Sequence, residues 1–116
     1  MKSPLIGVVG PCSSGKSTLV SGLTRRGFFA KNIAQEHSFV KDMWQRLTNP
    51  RILIFLDVSY PVAQSRRKLN WNLSEYHEQQ RRLRHARQHA DFYLDTDPFT
   101  PHEVLERVIA FLVRKT

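Results

Sequence analysis

Cys12 is the chain's only cysteine, so an internal disulfide is excluded and packing must hold the fold together. No apolar run approaches the roughly 20 residues that a membrane-spanning helix needs. The first residues also lack the apolar stretch and small-residue cleavage pattern of a secretory signal. A soluble protein of the reducing cytoplasm, without a membrane partner, is therefore expected. Low-complexity tracts and fixed-period repeats are missing too, which argues against disorder and solenoid architectures. Acid is scarce: 10 Asp plus Glu stand against 18 Lys plus Arg, a formal charge of +8. Such a balance attracts polyanions, nucleotide phosphates and nucleic acid among them, although a solvated basic helix face gives the same sum. At 116 residues the chain can bury one core, so a single domain over 1–116 is expected.

What is present is an alternation of short apolar runs with helical patterns. Leu5–Val9, ending at Gly10, reads as a buried strand; the pattern from Lys16 to Arg26, with Gly27 behind it, reads as a helix and its C-terminal cap. Residues 28–34 form a second strand, weakened toward an edge by Lys31 and Asn32. Ser38 is placed to cap a helix whose Phe39, Val40, Met43, Trp44 and Leu47 would pack in the core. Residues 52–58, between Pro50 and Pro61, form the clearest strand. A helix from Pro61 to about Lys68, a break at 70–72 and a helix capped by Ser74 running to about His89 follow. Phe92–Asp95 is a last strand, and Thr100, Pro101 and Glu103 make a capping box for a final helix with Val104, Leu105, Val108, Ile109, Leu112 and Val113 on one face. Strands separated by helices predict an α/β three-layer sandwich: a small parallel sheet of about four strands with helices on both faces. Ligands of such sheets sit at the carboxyl ends of the strands.

Between the first strand and the first helix, Gly10-Pro11-Cys12-Ser13-Ser14-Gly15-Lys16-Ser17 satisfies the complete G-x-x-x-x-G-K-[ST] pattern, extended by Thr18. From average composition alone such a match arises about once in 300 chains of this length. Its chemistry is specific. Glycine lets the backbone turn its N–H groups inward as an anion nest at a helix N-terminus. Gly10, Ser13, Ser14, Gly15, Lys16, Ser17 and Thr18 are thus expected to bind the phosphates of ATP or GTP. Lys16 would reach the β- and γ-phosphates and Ser17 would ligate Mg²⁺. Cys12 fills a variable position, where a helix N-terminus lowers a thiol pKa but a small side chain is the ordinary reading.

With the loop in place, the chain resembles the small kinase-like P-loop proteins, namely nucleoside monophosphate, adenylylsulfate, shikimate and gluconate kinases. The further stretches that carry the resemblance are Leu53-Ile54-Phe55-Leu56-Asp57-Val58-Ser59 with Arg66 and Arg67, and the ending from His89-Ala90-Asp91-Phe92 through Asp95-Thr96-Asp97 to the Pro101 helix. The likeness implies the P-loop NTPase fold with a helical lid at about 66–90, in which Arg81, Arg84 and Arg87 would stabilise charge on the moving phosphoryl group. A solvated basic face competes with that role. The families usually carry one more strand, ending in the Asp that holds Mg²⁺ through water, and no such strand is evident. Asp57 and Glu36 therefore both stand as acidic candidates, with Gln35 beside Glu36 and Asp42 a weaker third. His37 is a candidate acid or base, Trp71 a stacking or anchoring aromatic, and the spacing of His85 and His89 lacks the third ligand a zinc site needs.

The leading expectation is a phosphotransferase acting on an unidentified small acceptor. An NTPase or nucleotide-binding regulatory module is the alternative, because the acceptor region is short. A polynucleotide-end kinase rests only on the +8 charge. The sequence contains no N-K-x-D base-reading motif, so ATP is the default nucleotide, and oligomeric state is silent.

Overall fold

The computed structural model describes residues 4–67 and 72–115. Four strands, β1 (Leu5–Val9), β2 (Phe29–Asn32), β3 (Ile52–Asp57) and β4 (Phe92–Asp95), form one parallel sheet in the order β2-β1-β3-β4. The helices are α1 (Lys16–Arg25), α2 (Tyr60–Arg67), α3 (Leu73–Arg82), α4 (Arg84–His89) and α5 (Pro101–Lys115). None among the described residues is long and apolar enough to cross a membrane.

Every residue of β3 is buried, as a continuous apolar run covered on both faces requires. Alternation along the strands divides the core. Ile6, Val8, Ile52, Ile54 and Leu56 pack against Leu19 and Leu23 of α1 and Val104, Val108 and Leu112 of α5. On the opposite face Val9, Leu53 and Phe55 meet Ile33, Trp44, Leu83 and Ala86. β2 is an edge strand with mostly exposed residues, and it pairs directly with β1 from Leu5↔Phe29 to Val8↔Asn32. The place beside β1 that the resemblance would give to an additional strand is thus taken by β2.

Four local expectations need correction. The helix over 39–47 does not form: Phe39 is 85% and Leu47 79% exposed, and only Trp44 of the five apolar residues is buried. The buried Gln35 side chain satisfies this backbone instead. Its Oε1 accepts from Trp44 N at 2.8 Å and its Nε2 donates to Val40 O at 2.8 Å, leaving one π-helical turn at Trp44–Thr48. Asn72, rather than Ser74, caps α3; its Oδ1 accepts from Glu75 N at 2.9 Å and Glu75 closes the reciprocal bond. The helix expected to reach His89 is interrupted at the fully buried Leu83, so Arg81 and Arg84 lie on different helices. On α5 the capping box forms as expected, but Val113 is 63% exposed and leaves the core face.

Candidate functional site

β1 delivers the chain to Gly10 at the carboxyl edge of the sheet, where φ is +154° and a Cβ would lie 2.0 Å from the Leu56 carbonyl oxygen. Only glycine lets the loop pass β3 this closely. Ser13 (φ 68°) and Gly15 (φ 97°) complete the turn into α1, whose first turn contains no acidic residue and whose N-cap has no side-chain hydrogen bond. The loop is stitched from behind by Thr96, fully buried after β4, whose hydroxyl donates to Ser14 O at 3.2 Å or Asp57 O at 2.8 Å.

A cavity of about 780 Å³ opens over this loop. All the loop residues expected to bind phosphate line it except Gly10, which supports the turn beneath. Lys16 is buried with its Nζ 2.7 Å from Gly10 O, 3.1 Å from Pro11 O and 2.8 Å from Glu36 Oε2. Glu36 is buried in a 3₁₀ turn, Gln35–His37, at the end of β2. Its other oxygen, Oε1, and the hydroxyls of Ser13 and Ser14 are buried with no hydrogen-bond partner among the described residues. Ser17 Oγ accepts from Asn32 Nδ2 at 3.0 Å.

Asp57 is elsewhere. Its carboxylate does not line the cavity: Oδ1 accepts from Val58 N at 2.9 Å and Gln80 Nε2 at 3.0 Å, Oδ2 from Tyr93 Oη at 2.6 Å, with Arg87 Nη1 at 3.6 Å. Burial, and then the adjoining Asp57 carboxylate, push the Tyr93 phenol well above its ordinary range. Asp42 is on the surface, ion-paired with Arg46 at 2.9 Å.

Arg81, Arg84 and Arg87 do not line the cavity either. Arg81 is exposed and pairs with Glu78, Arg84 is exposed, and Arg87 lies over the Tyr93 ring at 4.7 Å. Among the described residues the guanidinium that does face the cavity is that of Arg66, which donates from Nη1 to Ser13 O at 3.1 Å and Thr96 Oγ1 at 2.9 Å. In sequence Arg66 is marked only by lying within a stretch of family likeness; its 53-residue separation from Ser13 offers no local signal. Gln79 was also missed. Its Oε1 accepts from Cys12 N at 3.0 Å and its Nε2 donates to Cys12 Sγ at 3.2 Å, clamping the loop from α3.

His37 Nε2 lies 3.8 Å from both Glu36 Oε2 and Cys12 Sγ at the cavity rim. The His85 and His89 rings stack on each other at 4.2 Å, and His85 Nδ1 accepts from Trp44 Nε1 at 3.2 Å. Burial and the neighbouring His89 lower the His85 pKa, consistent with a neutral, accepting imidazole. Trp71 lies outside the described residues. No protein-family model matches the chain, and no curated protein matches it.

Proposed function

We propose that the chain is a shortened kinase-like P-loop protein that binds a nucleoside triphosphate, ATP by default, together with Mg²⁺, and transfers the γ-phosphoryl group to a small acceptor. One observation carries the reading: the complete phosphate-loop sequence lies between the first strand and first helix of a parallel sheet, with Lys16 at a cavity whose wall holds unsatisfied buried oxygens. Each such oxygen costs about 1–3 kcal/mol when left unpaired. Hydroxyls at Ser13 and Ser14 suit phosphate oxygens as donors, and the free Glu36 oxygen suits a hydrated cation.

The chain's own parts then have distinct work. Loop amides and the start of α1 bind and orient the phosphates. Lys16 exchanges the Glu36 carboxylate for phosphate oxygens, keeping its charge compensated while it neutralises theirs. Glu36 and the Ser17 hydroxyl would hold Mg²⁺, which when bound would supply charge neutralisation on the β- and γ-phosphates. Arg66, on the facing wall, adds a fixed guanidinium near the loop. Arg81, Arg84 and Arg87 would serve as lid arginines only after movement of the helical segment that carries them.

A second reading, hydrolysis or regulatory binding without an acceptor, is favoured by the segment between β2 and β3. It contains only a 3₁₀ turn and a π-helical turn, little structure for a second substrate. The deciding experiment follows γ-labelled phosphate from Mg·ATP, with and without a pool of metabolites and oligonucleotides, in wild type and Lys16→Ala. Label on an acceptor only in wild type supports the kinase and identifies its acceptor class, a polynucleotide end included. Free phosphate regardless of acceptor supports the NTPase. Failure of wild type to bind Mg·ATP at millimolar concentration would sink both.

A further inference from the structure

Beside the loop, three side chains of different donor chemistry converge without serving the phosphate reading together. Cys12 Sγ, His37 Nε2 and a Glu36 carboxylate oxygen all lie within 4.8 Å of one another. Two of the separations, Cys12 Sγ to His37 Nε2 and His37 Nε2 to Glu36 Oε2, are 3.8 Å each. We infer that Cys12, Glu36 and His37 form a binding site for a thiophilic divalent cation, Zn²⁺ by donor chemistry.

Bond lengths support this. Tetrahedral zinc, with Zn–S about 2.3 Å and Zn–N or Zn–O about 2.0–2.2 Å, brings neighbouring donors to about 3.3–3.6 Å. The two separations to His37 need only a small contraction, which His37, 60% exposed, has room to make by turning, while the Cys12–Glu36 separation, within 4.8 Å, closes by rotation of the Glu36 carboxylate. The other two are held. Gln79 fixes Cys12 at both its backbone nitrogen and its sulfur. Glu36 is held in the buried turn, where Arg82 Nη1 donates to its carbonyl oxygen at 3.4 Å.

The independent observation is the state of this buried carboxylate: Oε2, the oxygen 3.8 Å from His37, is ion-paired to Lys16, and Oε1 is buried with no partner among the described residues. With one oxygen unclaimed, the carboxylate can turn to offer one oxygen to the cation and keep the other on Lys16. Thiolate and carboxylate together neutralise a dication, and the Cys12 proton leaves to solvent on binding. Mg²⁺, which demands hard oxygen ligands, is poorly served by a sulfur and an imidazole, so this site differs in kind from the one proposed for the nucleotide although both draw on Glu36. Three protein ligands leave a fourth zinc position for water or an exogenous ligand. Binding here does not depend on the nucleotide reading being right.

The test uses the metal alone. Reduced protein is titrated with Co²⁺, following the thiolate-to-cobalt charge-transfer band, and Zn²⁺ is then added to displace it. Wild type should develop the band and yield it to Zn²⁺ but not to millimolar Mg²⁺. Cys12→Ser should lose the band, and His37→Ala should weaken zinc at least about tenfold. His89→Ala, which alters the other pair of neighbouring imidazoles, should change nothing. In wild type, bound Zn²⁺ should also slow maleimide labelling of Cys12, a readout that needs no variant to fold. No charge-transfer band in wild type, undiminished zinc affinity in both Cys12→Ser and His37→Ala, dependence on His89 instead, or labelling unaffected by zinc would each overturn the site.

Discussion

The carboxyl ends of β2 and β3 each carry a buried acid, and the two differ in what surrounds them. Asp57 follows β3's apolar run and has its charge distributed over a backbone amide, the Gln80 amide, the Tyr93 hydroxyl and Arg87. Glu36 follows an edge strand, faces the cavity, and has one oxygen on Lys16 and one on nothing among the described residues. A fully satisfied buried carboxylate ties elements together. One with an orphaned oxygen carries an unfavourable term that a ligand can relieve. Burial alone therefore does not distinguish the two acids; the completeness of their hydrogen bonding does.

That contrast can be broken experimentally. The largest effect should come from Asp57→Ala, which strands the Tyr93 hydroxyl and the Gln80 amide and should cost about 3 kcal/mol in chemical denaturation while Mg·ATP affinity holds. A loss of affinity with little loss of stability would reverse the assignment. Glu36→Gln should do the opposite, weakening Mg²⁺-dependent nucleotide binding about tenfold, or about 1.4 kcal/mol, in calorimetry at constant ATP. Its stability should change little, because Lys16 keeps the carbonyls of Gly10 and Pro11.

Tyr93→Phe sharpens the structural half of the contrast. Burial and Asp57 hold the phenol proton on in the folded state, so the folded pKa is raised above the unfolded value of about 10. The resulting stability is present below about pH 10 and drains as pH rises through the folded value. Unfolding followed from pH 8 to 11 should show this alkaline loss in wild type. Tyr93→Phe should remove that pH-dependent part and cost about 1 kcal/mol at pH 8. The smallest effect is expected for Arg87→Ala. A half-exposed guanidinium 3.6 Å from its carboxylate contributes less than about 1 kcal/mol. A large fall in phosphoryl transfer in this variant, with stability intact, would restore Arg87 to the lid role that the family likeness implies.

Much of the fold is legible because its signals are local. β1, β4, the start of α1 and the capping box of α5 follow from short apolar runs, glycine placement and the spacing of Thr100 and Glu103. The segment after β2 is not legible in that way. Phe39, Val40, Met43, Trp44 and Leu47 have helical spacing, but Gln35, outside the run, takes the backbone bonds that a helix would make. The interruption at Leu83 is equally hidden, since no glycine or proline marks it. Of the candidate site, the loop and Lys16 were evident from one motif. Arg66, Gln79 and Thr96 were not, because each reaches the loop from a distant element through hydrogen bonds that leave no spacing pattern.

The alternation of strands and helices, the glycine-dependent turn at Gly10 and a lysine placed at the head of α1 follow from residue order alone, since each depends on neighbours along the chain. Tertiary structure decided which acid faces the loop. Pairing β2 directly with β1 brings Glu36 to Lys16, while side-chain alternation along β3 turns Asp57 toward Tyr93 and Gln80. Both acids end a strand in sequence; only the order of strands and the face each side chain takes separate the cavity-facing one from the one tied into the fold.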